Sequence, residues 1–281
     1  MSERREFRIA GVIGWPISHS RSPVLHGYWL RHHDIHGVYL PLPVPPGRLE
    51  RALRGLAALG FAGCNVTIPH KEEAMRHVDR VDAIATRIGA VNTIVVQPDG
   101  SLSGTNTDGY GFIENLRDGH RGWRADAGSA VVLGAGGAAR SVVFSLLEAG
   151  APEIRLLNRT RARADELCNA FNNVVRVLDW HERHAALAGA ALLVNSTNQG
   201  MAGQPPLELA LDDLPRTAVV NDLVYNPLQT PLLRAARARG NPTVDGLGML
   251  LHQARPGFHA WFGVLPEITP ELRTAIEVTI G

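Results

Sequence analysis

The chain has 281 residues, of which 28 are lysine or arginine, 27 are aspartate or glutamate and 2 are cysteine. A net charge of +1 excludes a protein that wraps nucleic acid, since such proteins carry a strong basic excess. The length predicts two domains, and a hydrophobic content of 45% is enough to fill their cores. The two cysteines, and apolar runs too short for a signal peptide or a membrane span, predict a cytoplasmic protein.

Short apolar runs alternate with amphipathic stretches in the first half of the chain. In one of these stretches, leucines recur at helical spacing and Gly60 supplies a C-terminal cap. The dipeptide Asp99-Gly100 is typical of a hairpin turn. We predict strands at Phe7–Ile13, Val38–Leu42, Phe61–Ile68, Val91–Val96 and Ser101–Gly104, and helices at Ser22–Leu30 and Gly47–Gly60.

The second half has a more regular alternation of strand and helix. We predict strands at Ser129–Leu133, Glu153–Leu157, Val174–Val177, Ala191–Val194 and Ala218–Leu223, and helices at Ala138–Ala149 and Ala162–Phe171. The polar stretch Arg117–Gly128 is interpreted as the connection that leads into this half. The alternation predicts an α/β fold with a mainly parallel sheet covered by helices on both faces.

A glycine-rich pattern, G-x-G-x-x-A, stands between a predicted strand and a predicted helix. In that context, Gly134 allows a tight turn, Gly136 lets the backbone approach a pyrophosphate, and Ala139 permits close packing of helix on strand. An ordinary glycine-rich turn is the alternative. We predict a dinucleotide site whose phosphates lie at the N-terminus of the helix. Its residues are Gly134, Ala135, Gly136, Gly137 and Ala138.

The end of the following strand indicates which dinucleotide binds. An NAD site usually has an acidic residue there, but this chain has arginines at 159, 161 and 163. An arginine can pair with a 2′-phosphate and stack on adenine, whereas a carboxylate would repel the phosphate. A solvated helix start is the alternative, although basic residues there oppose the helix dipole. The sequence therefore favours NADP(H) as the cofactor.

Three stretches of the first half place polar residues where predicted strands end. They are the serine-rich segment Gly14–Pro23, the segment Asn65–Ala74, and Gly89–Thr93 together with Gly104–Gly109. Their hydroxyls, amides, single lysine and carboxylates such as Asp108 suit a small polyhydroxylated acid as ligand. No metal-ligand motif accompanies them, and we interpret the histidines near Arg31 as a solvated helix end, so no metal is expected.

These segments, together with GAGGAAR, NRT and the late stretch Asp245–Leu250, resemble the shikimate dehydrogenase family over essentially the whole chain. The resemblance implies an α/β substrate-binding domain and a Rossmann-type NADP-binding domain. We assign residues 1–108 and 246–281 to the first and 109–245 to the second. It implies NADPH-dependent, reversible reduction of 3-dehydroshikimate to shikimate in aromatic amino acid biosynthesis. The only partner implied is this small-molecule substrate, and monomer and homodimer are both open.

The resemblance also implies roles for individual residues. Lys71 and Asp108 match the catalytic pair: a lysine stabilises the charge that grows on the carbonyl oxygen and supplies the proton, and a carboxylate anchors it. Which of the two is the formal acid or base is open, and a solvated helix start is the alternative for Lys71. The positions that match the substrate site are Ser20, Ser22, Asn65, Thr67, Asn92, Tyr225 and Gln253.

Other interpretations of these positions are local. Ser22 before Pro23 also suits a helix N-cap, and a lone asparagine often serves a turn. In the cofactor domain, the resemblance assigns Asn158, Arg159, Thr160 and Arg163 to the 2′-phosphate, and Thr197, Gly246 and Met249 to other parts of the cofactor.

Two rival functions are compatible with the sequence. A quinate/shikimate or aminoshikimate dehydrogenase would share the scaffold, although Ser20 and Ser22 favour shikimate as the substrate. A non-catalytic nucleotide-binding regulator is the second rival. The presence of both Lys71 and Asp108 argues against it.

Overall fold

The computed structural model describes residues 7–171 and 174–280. It divides into two compact units, Met1–Thr107 with Gln253–Thr279, and Asp108–His252 with Ile280–Gly281. We call these the first and the second unit. The division falls at Gln253, inside a helix, where the sequence interpretation began the returning segment at Gly246. Residues 1–6 and 281 of the predicted domain lie outside the described residues.

The first unit contains a six-stranded mixed sheet. Its strands are β1 (Arg8–Gly14), β2 (Gly37–Pro43), β3 (Phe61–Val66), β4 (Arg80–Val81), β5 (Thr93–Val96) and β6 (Leu102–Thr105). They lie in the order β2-β1-β3-β5-β6-β4, and β5 is antiparallel to both of its neighbours. The predicted hairpin turn is confirmed, since Gly100 has φ +81° and Ser101 N–H donates to Asp99 Oδ1 at 2.9 Å.

Helices of the first unit pack on this sheet. Those before Thr107 are α1 (Ser22–His32), α2 (Leu49–Ala58), α3 (Lys71–Ala74) and α4 (Ala83–Ile88), and the last two are not among the predicted elements. The leucines of α2 are buried in a core cluster with β1, β3 and β5, as their spacing predicts. Gly60 follows α2 with φ +72°, which confirms its capping position. Arg31 and His32 form the exposed end of α1.

The second unit has a fully parallel six-stranded sheet. Helix α5 (Asp108–Gly119) opens the unit, so the stretch interpreted as a connection from Arg117 begins inside a helix. The strands are β7 (Ala130–Leu133), β8 (Ile154–Leu157), β9 (Val175–Leu178), β10 (Leu192–Asn195), β11 (Val219–Asp222) and β12 (Thr243–Val244). Their order is β12-β11-β10-β7-β8-β9, and every pair is parallel.

Two separate core clusters of the second unit contain residues of these strands. Such double burial explains why the strands read as continuous apolar runs rather than as alternating ones. The helices that follow in the chain are α6 (Gly137–Glu148), α7 (Arg161–Asn169), α8 (Pro231–Ala238), α9 (Leu247–Phe262) and α10 (Pro270–Glu277). The last three were not predicted. Helix α10 and the part of α9 from Gln253 onward belong to the first unit. In the part of the chain that the structure describes, no helix has both the length and the apolar content to span a membrane.

Candidate active site

Buried polar side chains of the first unit form a chain of hydrogen bonds across β2, β3 and β5. Tyr39 Oη donates to Asn65 Oδ1 at 2.6 Å, and Asn65 Nδ2 donates to Thr93 Oγ1 at 3.1 Å. The Thr93 hydroxyl donates to Asn92 Oδ1 at 2.8 Å. Burial raises the pKa of Tyr39 well above its ordinary value, so its hydroxyl stays protonated and serves as the donor.

The same chain continues from Asn92 to the start of the returning segment. Asn92 Oδ1 accepts the N–H of Thr107 at 2.9 Å, while Asn92 Nδ2 reaches Thr107 Oγ1 at 3.0 Å and Gln253 Oε1 at 3.4 Å. All three residues are buried. Because each amide has fixed partners, its rotamer is fixed as well. The fold thus brings together Asn65, Asn92 and Gln253, three of the residues that the sequence predicts for one site.

Ser20 and Ser22 stand beside this network, at the start of α1. The helix begins at Ser22 with Arg21 as its N-cap, so the alternative interpretation of Ser22 as the cap is wrong. Its hydroxyl instead forms a hydrogen bond with Tyr39, and its N–H donates to Ser20 Oγ at 3.3 Å. Tyr39 therefore links Ser22 to Asn65.

Lys71 is the first residue of α3 and is half-buried. Its carbonyl oxygen accepts the N–H of Val91 at 2.9 Å, which fixes the start of α3 next to the segment that carries Asn92. The half-buried Thr67 holds the preceding turn, since its carbonyl oxygen accepts the N–H of His70 at 2.9 Å. The His70 ring is fully buried and its Nε2 lies 2.7 Å from Val44 O, which anchors the residue before Lys71.

Asp108, the other half of the predicted catalytic pair, is the buried first residue of α5 and belongs to the second unit. It directly follows Thr107, whose backbone is held by Asn92. The chain therefore leaves the amide network of the first unit and enters α5 at this carboxylate.

The glycine-rich turn of the second unit has the geometry that the pattern predicts. Gly134 has φ +114°, and a Cβ there would lie 2.5 Å from Ser196 Oγ. Gly136 is the N-cap of α6, and a Cβ there would point into space that is open within 4 Å in the described chain. Free backbone N–H groups and the helix dipole make such a helix start favourable for a phosphate. The residues present therefore fit the pyrophosphate of a dinucleotide.

The three arginines after β8 differ in their partners. Arg161 pairs with Asp179 at 2.7 Å and with Asp165 at 3.6 Å. Arg159 and Arg163 are exposed, and neither has an ion-pair partner among residues 7–171 and 174–280. Their turn is held by Asn158 and Thr160, because Asn158 Nδ2 donates to Thr160 O at 2.8 Å. Two unneutralised guanidinium groups at this position fit a 2′-phosphate.

The remaining predicted residues of the second unit lie where β10, β11 and β12 end. Thr197 Oγ1 donates to Asn195 Oδ1 at 2.7 Å, and Tyr225 lies half-buried three residues after the end of β11. Gly246 approaches the backbone so closely that a Cβ there would lie 2.3 Å from Leu223 O. Met249 is buried in a core cluster, so packing accounts for much of its surface.

Several residues of this arrangement were not singled out from the sequence. Tyr39 lies in a predicted strand, and Thr93 and Thr107 lie in segments where neighbouring residues have the predicted roles. Ser196 donates its hydroxyl to Leu133 O at 2.6 Å, which explains a polar residue next to the glycine turn. Cys64 is fully buried in β3, and burial raises the pKa of its thiol, as expected for an inert cysteine.

The second unit, with strand order 3-2-1-4-5-6 and a glycine-rich turn after its first strand, is a Rossmann-type dinucleotide-binding unit. Joined to an α/β unit that gathers buried amides and hydroxyls, it defines a two-unit α/β dehydrogenase. The family model of the shikimate dehydrogenase substrate binding domain matches residues 12–94, and that of shikimate / quinate 5-dehydrogenase matches residues 122–202. The chain belongs to the shikimate dehydrogenase family.

Individual relatives cover nearly the whole chain. A protein of Paramagnetospirillum magneticum named shikimate dehydrogenase (NADP(+)) is 60% identical over 269 residues, which cover 96% of this chain and 98% of that one. Shikimate 5-dehydrogenase of Thermus thermophilus, solved with NADP(H) and shikimate, has a TM-score of 0.84 at 38% identity, covering 97% and 98%. Quinate dehydrogenase of Corynebacterium glutamicum, solved with NAD, has a TM-score of 0.88 at 31% identity, covering 96% and 99%.

Proposed function

We propose that this protein is an NADP-dependent oxidoreductase that reversibly reduces 3-dehydroshikimate to shikimate, a step of aromatic amino acid biosynthesis. The observation that carries the proposal is the similarity at 60% identity, over almost the full length of both chains, to a relative named shikimate dehydrogenase (NADP(+)). We assign substrate binding to the first unit, which contains the matching substrate-domain segment 12–94, and cofactor binding to the second.

The first unit supplies neutral groups for an anionic, hydroxylated substrate. Ser20 and Ser22 bind the carboxylate through their hydroxyls, next to the start of α1 where the helix dipole favours negative charge. The ring hydroxyls are assigned to Asn65, Thr67, Asn92 and Gln253, and Tyr225 is also assigned to the substrate. Because the buried amides already have fixed orientations, they lose little conformational freedom when the substrate binds.

Lys71 and Asp108 carry out the proton chemistry. The nicotinamide, when bound, supplies a hydride to the substrate carbonyl carbon. The Lys71 ammonium stabilises the negative charge that grows on the carbonyl oxygen and delivers a proton to it. We assign Asp108 to accept a hydrogen bond from a substrate hydroxyl. The reverse reaction uses the same groups in the opposite order.

The cofactor is held by groups of the second unit. Gly134, Ala135, Gly136, Gly137 and Ala138 form the cradle for its pyrophosphate, and Asn158, Arg159, Thr160 and Arg163 bind the 2′-phosphate. Thr197, Gly246 and Met249 line the rest of the cofactor site. Support for NADP over NAD comes from the absence of an acidic residue in the segment Asn158–Arg163.

Replacement of Gly136 by alanine tests the pyrophosphate cradle. The backbone there has φ −97° and a Cβ meets open space, so we expect the variant to keep the wild-type unfolding midpoint. The added methyl group would stand where the phosphate approaches, and we expect KM for NADPH to rise about tenfold or more. Gly55→Ala is the matched control, because its Cβ also meets open space but lies in α2. Equal KM values for NADPH in wild type and Gly136→Ala would contradict the assignment of Gly136 to the pyrophosphate site.

The reaction itself is tested by following NADPH and NADH absorbance with purified protein. We expect turnover of 3-dehydroshikimate with NADPH, and of shikimate with NADP+, at higher kcat/KM than with 3-dehydroquinate, quinate or NADH. Preference for quinate would identify the first rival function. NADPH binding without turnover of any of these substrates would identify the nucleotide-binding regulator.

A further inference from the structure

Asp222 is a fully buried carboxylate that the proposed reaction does not use directly. It is the last residue of β11, next to Asn195 in the parallel register of β10. Its Oδ1 accepts Asn195 Nδ2 at 2.9 Å and the N–H of Val224 at 3.0 Å, and its Oδ2 accepts Thr230 Oγ1 at 2.7 Å. Burial raises the pKa of this carboxyl to about 6, although the three hydrogen bonds oppose that shift.

The first donor connects Asp222 to the segment proposed to contact the cofactor. While Asn195 Nδ2 donates to the carboxylate and to Gln199 O at 3.1 Å, its Oδ1 accepts both the N–H and the hydroxyl of Thr197, at 3.1 and 2.7 Å. If the Asn195 amide were rotated by 180°, its NH₂ group would face the N–H of Thr197, and its oxygen would face the carboxylate of Asp222. The carboxylate of Asp222 therefore selects the amide orientation that holds Thr197.

The second donor connects Asp222 to the segment proposed to contact the substrate. The N–H of Val224 folds back onto the carboxylate in an Asx turn, and Tyr225 is the next residue. Gly246 fits tightly against the same backbone, since a Cβ there would lie 2.3 Å from Leu223 O and 2.9 Å from Val224 C. The turn before Tyr225 is therefore held by the carboxylate of Asp222 and by the close packing of Gly246.

The third donor serves a different purpose. Thr230 Oγ1 donates to Asp222 Oδ2 and accepts the N–H of Leu233 at 3.2 Å, so it caps α8. This branch leads to a helix rather than to a residue assigned to either ligand. A substitution of Thr230 therefore shows what the loss of one hydrogen bond to Asp222 does when neither ligand segment is involved.

We propose that Asp222 is a positioning residue of this enzyme, which fixes Thr197 toward the cofactor through Asn195 and fixes Tyr225 toward the substrate through the Val224 turn. This inference rests on the function proposed above. Asp222 is suited to the role because all three of its partners are donors and a carboxylate offers only acceptors. An amide at this position would present an NH₂ group to one of these donors.

The test compares Asp222→Asn with Thr230→Val in the full chain, at a temperature where both variants remain folded by circular dichroism. For Asp222→Asn we expect KM for NADPH and KM for shikimate each to rise about five- to tenfold, the usual scale for coupling between contacting residues. Thr230→Val should lower the unfolding midpoint and change both KM values less than twofold. A lower midpoint with wild-type KM values for Asp222→Asn would show a structural role only and overturn the proposal.

Double-mutant cycles identify the route of the effect. In a Thr197→Ala background, Asp222→Asn should no longer change KM for NADPH, and in a Tyr225→Phe background it should no longer change KM for shikimate. If Asp222→Asn changes KM by the same factor in these two backgrounds as it does in wild type, the proposal is overturned. Asn195→Ala provides a second variant if Asp222→Asn does not fold, and it should raise KM for NADPH alone.

Turnover by wild-type protein distinguishes a failure of the positioning role from a failure of the proposed function. If wild-type protein reduces 3-dehydroshikimate and the Asp222 variants match it, the positioning role fails while the function holds. If wild-type protein shows no turnover, the function fails, and NADPH titration by calorimetry still tests the cofactor branch. An unchanged dissociation constant for NADPH in both Asp222→Asn and Asn195→Ala would then overturn that branch.

Discussion

Replacing Lys71 with methionine is expected to lower kcat by about three orders of magnitude, within the roughly 10²- to 10⁴-fold range of general acid catalysis. Methionine keeps an unbranched side chain of similar length but carries no charge and no proton. KM for shikimate should change only modestly, because hydroxyls and amides account for most of the proposed substrate contacts. Steady-state kinetics in both directions measure this split between kcat and KM.

The composition of the chain makes Lys71 unusual among its basic residues. Lys71 is its only lysine, since 27 of the 28 basic residues are arginine. Arginine keeps its proton at any physiological pH, so it can stabilise charge but is a poor proton donor. Lys71→Arg therefore separates the two roles. If the lysine supplies the proton, this variant should lose nearly as much kcat as Lys71→Met. Substantial activity in Lys71→Arg would show that positive charge alone suffices.

A single lysine also permits a direct chemical measurement. Reductive methylation with ¹³C-formaldehyde labels amines, so it marks Lys71 and the N-terminal amine and no other group of this chain. Shikimate together with NADP+ should slow labelling of Lys71 and leave the N-terminus unaffected. Equal labelling rates with and without these ligands, or wild-type kcat in Lys71→Met, would contradict the proposed role of Lys71.

Replacing Arg159 with alanine is expected to raise KM for NADPH about 10- to 100-fold, as follows from the loss of a charge-assisted hydrogen bond of about 1.5–3 kcal/mol. KM for NADH should stay the same, because NADH lacks the 2′-phosphate. The preference between the two cofactors, measured as the ratio of kcat/KM values, should therefore shift toward NADH by the same factor.

Arg161→Ala is the matched control for this experiment. Arg161 belongs to the same stretch, but Asp179 and Asp165 neutralise it. Its removal should leave KM for NADPH within about twofold of wild type, since exposed ion pairs contribute little. A parallel loss for NADPH and NADH in Arg159→Ala, or an equal effect of Arg161→Ala, would contradict the assignment of Arg159 to the 2′-phosphate.

Five of the six strands of the second unit, and its helices α6 and α7, could be predicted from the sequence. Its strands are apolar runs, Gly150 follows the C-cap of α6, and the turn Gly134–Ala139 stands at the junction that the motif requires. These signals are local, because the conformation of each segment is set by neighbouring residues. Arg161 differs from Arg159 and Arg163 in being ion-paired with Asp179. The sequence around the arginines does not indicate this pair, since Asp179 lies eighteen residues away.

The first unit was less predictable because its interactions connect distant segments. The hydrogen bond from Tyr39 to Asn65 spans 26 residues, and that from Asn92 to Gln253 spans 161. No local pattern indicates such partners. For the same reason, the sequence suggested a cap for Ser22, while the structure uses its hydroxyl to contact Tyr39.

The sequence by itself determined the α/β class, the glycine turn, the arginine-rich segment after β8 and the order of polar motifs that indicated the family. Each of these depends on residues that are adjacent in the chain. Only the tertiary structure decided the mixed order of the first sheet, the ion pair between Arg161 and Asp179, and the network around Asp222. These features depend on which strand ends become neighbours, and hydrogen bonds and ion pairs between distant residues are formed only after the chain has folded.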